Sequence, residues 1–115
     1  MTEQEYNGWT NRETWATMLH IDNDQGLQEQ AHDYARTSWE EHQNDDPNDP
    51  EANVSFALYC LADSLENWFD DLAGDFTELP SGVYYMLRDI GSLYRVNWRE
   101  IAEALLDNIR EEVEA

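Results

Sequence analysis

A chain of 115 residues with 41% hydrophobic content and five tryptophans can bury one core, which excludes disorder despite its charge. Twenty-six acidic residues stand against six arginines and no lysine, for a formal net charge of −20. Bare nucleic acid and anionic membranes are thereby excluded as partners, because a phosphate surface is held by cations.

Thr10-Asn11-Arg12-Glu13 has the pattern of a capping box, in which the Thr10 hydroxyl accepts from the amide of residue 13 and Glu13 reaches back to residue 10. A first helix is predicted from about Asn11 to Asn23, with Trp15, Met18 and Leu19 on one side and Trp9 packed over its start. Gly26 is expected to break it. A second helix then runs from Leu27 to Glu41, with Leu27, Ala31, Tyr34, Ala35 and Ser38 on one face. Trp39, beside Glu40 and Glu41, is the tryptophan expected to be most exposed. Residues 42–52 place two prolines among asparagines and acids, which predicts a flexible acidic loop.

A third helix begins at Pro50 or Asn53 and ends at Leu72. Val54, Leu58, Leu61, Leu65, Trp68 and Leu72 recur every three or four residues along it, and Phe56, Tyr59 and Cys60 lie on its other side. A helix apolar on both sides is expected at the buried centre of a bundle. Residues 73–82 read as a connector, and residues 83–94 as a fourth helix broken at Gly91. Asn97-Trp98-Arg99-Glu100 is a second cap. It opens the most periodic helix, with Trp98, Ile101, Ala102, Leu105, Ile109 and Val113 on one face. No strand-like alternation, internal repeat or second domain is visible. The expected fold is all-α, a single bundle of four to five helices over residues 1–115.

Opposite the apolar face of the last helix, Glu100, Glu103, Asp107, Glu111 and Glu114 fall between about 140° and 220° from Trp98. That stripe is roughly 21 Å long at the helical rise. Acids in a last turn oppose the helix dipole and repel one another, so helix stability alone favours basic residues there. Asp63, Glu66, Asp70 and Asp71 add a shorter acidic edge on the third helix, and Arg99 and Arg110 flank the stripe. One reading is a row of carboxylates standing in for phosphates before a basic groove on another protein. The plainer reading is a solvated face on an acidic protein.

Signals for catalysis are weak. His20, His32 and His42 are scattered, with no two at ligand spacing on one helix, and no phosphate-binding glycine loop or serine elbow occurs. Residues 22–26 (DNDQG) open like a calcium loop, but the glycine comes one place early and the twelfth position is Asp33 rather than glutamate. The lone Cys60 has apolar neighbours and reads as a packing residue, and a single cysteine excludes an internal disulfide. No metal, cofactor or catalytic residue is assigned, and the chain is read as a non-enzyme. Without a signal peptide or membrane span it is expected in the cytoplasm.

The GWTNRETW segment (Gly8, Trp9, Thr10, Asn11, Glu13, Thr14, Trp15) and the NWREIAE segment (Asn97 to Glu103) together resemble a family of small, acidic, functionally uncharacterised proteins of phages, mobile elements, bacteria and haloarchaea. The resemblance carries no catalytic residues. It implies a setting in which small acidic proteins inhibit host defence, some by imitating DNA. The expected function is therefore an inhibitor that binds a host protein through that protein's nucleic-acid-binding surface, of anti-CRISPR or anti-restriction type and acting in the host cytoplasm. A homo-oligomer is compatible with these features. The alternative is a halophilic helical protein whose lysine-free acidity suits high salt and whose task is unrelated.

Overall fold

A computed structural model describes residues 7–74 and 81–114, the side chains of 81, 83, 84, 113 and 114 excepted. It contains α1 (Arg12–Asn23), α2 (Gln25–His42), α3 (Pro50–Ala73), α4 (Ser81–Ile90), a single 3-10 turn (Leu93–Arg95) and α5 (Trp98–Glu114). The described residues contain no strand, and the fold is all-α. Part of the connector predicted over 73–82 and the side chains of Val113 and Glu114 lie outside the described residues.

Helices α2, α3 and α5 pack on one another, and α1 lies across α2 and α5 while also holding α4 and the 3-10 turn. The apolar spacing explains the centre. Ala57, Leu58, Leu61, Leu65 and Phe69 of α3 meet Ile101, Ala102, Leu105, Leu106 and Ile109 of α5 in a core completed by Ala31, Ala35 and Trp39 of α2. Phe69 is enclosed by rings, 4.9 Å from Trp68 and 5.3 Å from Trp98 between centroids. On α1 the buried residues include Met18 and Ile21, whereas Leu19, predicted to face inward, is exposed.

The two caps close differently from the local pattern. Asn11, not Thr10, caps α1: its Oδ1 accepts from the Thr14 amide at 2.9 Å and the Thr14 hydroxyl at 2.7 Å. Glu13 pairs with Arg95 at 3.3 Å instead of reaching back to residue 10. The Thr10 amide donates to Glu100 Oε1 at 2.9 Å, across 90 residues of sequence. Asn97 caps α5 as expected, accepting from the Glu100 amide at 3.1 Å, and its own amide donates to the buried Thr14 hydroxyl at 2.9 Å. Asn11 Nδ2 completes the link by donating to the Arg95 carbonyl at 2.8 Å. Each end of the chain therefore satisfies the orphan backbone groups of the other. The two segments form one interlocked joint.

Asp24, rather than Gly26, separates α1 from α2; its extended backbone ends one helix and its carboxylate accepts from the Leu27 amide at 3.0 Å to begin the next. Gly26 sits inside the first turn of α2. The acidic loop is pinned by buried Asn53, which accepts from the Asp46 amide and donates to the carbonyls of Gln43 and Asp46. These three bonds and the Asp49 cap on the Ala52 amide replace the expected flexible loop with a built one. Gly91, with φ +88°, ends α4 as the break predicted there requires. Trp39 lies one turn beyond Ala35 on the buried face of α2 and is only 8% exposed, which corrects the expectation that it is the exposed tryptophan.

Asp89 ties α4 to α1. His20 Nε2 lies 2.9 Å from its Oδ2, and Arg12 reaches its Oδ1 at 3.2 Å and its carbonyl at 2.8 Å. The hydrogen bond to His20 is the chief cause that holds the Asp89 carboxyl below its ordinary range; slight burial opposes it, and the Arg12 charge adds to it. A depressed carboxyl stabilises the fold above the unfolded value of about 4 and loses that contribution as pH falls through the folded value. The group is half-exposed, so the effect is below about 1 kcal/mol. Asp89→Asn is expected to speed amide exchange in α4 at neutral pH while leaving α3 and α5 unchanged. Equal acceleration in all three helices contradicts this local role.

Candidate interaction surface

The outer face of α3 departs most from expectation. Its second apolar side is not buried in the bundle: Phe56 is 52% exposed and Tyr59 69%. Helix geometry places Phe56, Tyr59, Asp63, Glu66 and Asp70 within about 80° of one another, a stripe roughly 21 Å long that begins aromatic and ends acidic. Asp63, Glu66, Asp70 and Asp71 are all exposed. Of these four side chains, only that of Asp63 makes a hydrogen bond among the described residues, accepting from Asn67 at 3.3 Å. Position along the chain identifies these residues as apolar or charged; it does not show that no helix covers them.

The end of α2 extends the surface. The His42 ring stands edge-on to Phe56 at 4.7 Å, and His42 Nδ1 lies 2.7 Å from Asp45. Cys60, half-buried next to Tyr59, senses the surrounding charge: burial raises its thiol pKa most, and the carboxylates of Glu41, Asp63 and Asp45 raise it further. The thiol therefore stays protonated at neutral pH, a poor nucleophile. Cys60 is expected to alkylate more slowly than free cysteine at pH 7.5, with its rate rising only at higher pH; a faster rate contradicts the acidic surroundings.

On α5, Glu103, Asp107 and Glu111 are exposed and form no ion pair among the described residues. Glu100 leaves the stripe, since its carboxylate is engaged by the Thr10 amide. The Glu114 side chain lies outside the described residues. Arg99 is exposed, and half-buried Arg110 turns away to stand over Trp39. Arg12, Arg36 and Arg95 are each held by carboxylates. No three histidine, cysteine or acidic residues among those described are arranged to hold a metal ion. No described helix is long and apolar enough to cross a membrane.

Fold and surface together define a small, strongly acidic, all-α protein with carboxylates exposed on several helices. The chain belongs to a family of unknown function (DUF7249), whose model matches residues 2–113. No curated protein and no solved structure matches it.

Proposed function

We propose that the protein is a non-enzymatic inhibitor that binds another protein at its basic, nucleic-acid-binding surface. The observation that carries this reading is the exposed α3 stripe, in which two aromatic side chains continue into three carboxylates on one helix face. Carboxylates at this spacing complement a cationic groove and speed encounter, while Phe56 and Tyr59 supply the anchoring contacts that charge alone lacks. Arginine side chains of a partner can stack on those rings and pair with the neighbouring acids. The α5 carboxylates Glu103, Asp107 and Glu111 form a second row for the same kind of partner. For a phage or mobile-element protein, that partner is a host defence protein such as a restriction nuclease or CRISPR effector complex.

A second reading rests on a different observation: the chain has no lysine, and exposed acids occur on α2, α3 and α5 and in the acidic loop. Such a surface suits high salt, where screening relieves the self-repulsion of a net charge of −20. Far-UV circular dichroism against salt separates the two. Full helicity in dilute buffer supports the interaction reading; helicity that appears only near about molar salt supports salt adaptation. Asp63→Arg, Glu66→Arg and Asp70→Arg together test the face itself. Partner capture is expected to disappear while the helical signal remains, and undiminished capture overturns the assignment to α3.

A further inference from the structure

An open cleft of about 550 Å3 lies where the end of α2, the start of α3 and the last turns of α5 meet. Trp39, Pro50 and Val54 give it apolar walls, and Gln43, Ser55 and Arg110 bring polar groups to it. Arg110 is the unusual member. Its guanidinium carbon stands 5.2 Å from the Trp39 ring centre, and its Nε is buried without a hydrogen-bond acceptor. No described carboxylate forms an ion pair with it, although the chain has 26 acidic residues and only six arginines. The Nε itself is closed to the cleft, whereas the terminal guanidinium nitrogens are not buried and take no acceptor from the described residues, so a carboxylate in the cleft can meet them with charge-assisted hydrogen bonds.

We propose that this cleft binds a small monocarboxylate with a flat apolar body. The carboxylate meets the Arg110 guanidinium, and the body lies against Trp39, Pro50 and Val54. Glu51 lines the same cleft without pairing with Arg110. Its charge opposes a second negative group on the ligand, so a single carboxylate is preferred over two. The site is distinct from the α3 stripe, and its test does not depend on a protein partner.

The test is an NMR titration of the full chain at a fixed potassium chloride concentration that gives full helicity. The signals followed are the Arg110 Nε–H and the Trp39 indole N–H. Benzoate is expected to shift both saturably, with benzyl alcohol and phthalate each binding at least several-fold more weakly. Arg110→Gln is expected to lower benzoate affinity about tenfold or more. Glu51→Gln changes an exposed residue and serves where Arg110→Gln fails to fold; it should tighten benzoate several-fold. No saturable shift, equal response to benzoate and benzyl alcohol, or unchanged affinity in a folded variant overturns the site.

Discussion

Asn11→Ala is expected to destabilise the fold by about 2–4 kcal/mol, more than the loss of an ordinary helix cap. Asn11 is buried, and its side chain serves three groups: the Thr14 amide, the Thr14 hydroxyl and the Arg95 carbonyl. Alanine leaves the amide and carbonyl without these partners inside the joint between α1 and the segment before α5. Aspartate retains the acceptor but not the Nδ2 donor, and places a negative charge near the Arg95 carbonyl, so Asn11→Asp should also destabilise. Thr14→Val removes the acceptor for the Asn97 amide and shares part of the same loss, so the two substitutions should not add. Urea unfolding reads this as a lower midpoint at unchanged slope. A loss below about 1 kcal/mol for Asn11→Ala contradicts the joint.

Replacing Phe56 and Tyr59 together by serine should have the opposite profile. Both side chains are exposed, so folding stability should change little. Binding to the proposed partner should weaken by about 2 kcal/mol or more, roughly thirtyfold, because aromatic anchors carry much of an interface's energy. Retained affinity removes the aromatic anchors from the binding face. A large loss of stability instead assigns them a structural role.

The helices were legible because burial repeats with the helical period. Leu58, Leu61, Leu65, Ile101, Leu105 and Ile109 all fall on the faces that their spacing marked. Contacts across the chain were not. Thr10 and Glu13 have the spacing of a capping box, yet their partners are Glu100 and Arg95, and local sequence carries no signal for a contact 80 or 90 residues away. The same limit applies to α3. Phe56 and Tyr59 look like core residues because they are aromatic, but exposure depends on whether another helix covers them. Trp39 shows the reverse case: its acidic neighbours suggested solvent, while its helical phase placed it inside. The acidic residues of α3 and the middle of α5 were legible as exposed because unpaired carboxylates are costly to bury. Only the structure joined them to an aromatic pair, or showed Glu100 diverted to the joint.

The most direct test of the acidic face is displacement by DNA. The immobilised protein is exposed to a cell lysate, and the captured proteins are measured as duplex DNA is added. Capture of a nucleic-acid-binding protein that DNA releases progressively, with capture lost in the Asp63→Arg, Glu66→Arg, Asp70→Arg variant, is the expected result. A captured protein that excess DNA leaves in place, or capture that survives in that variant, contradicts binding through this face.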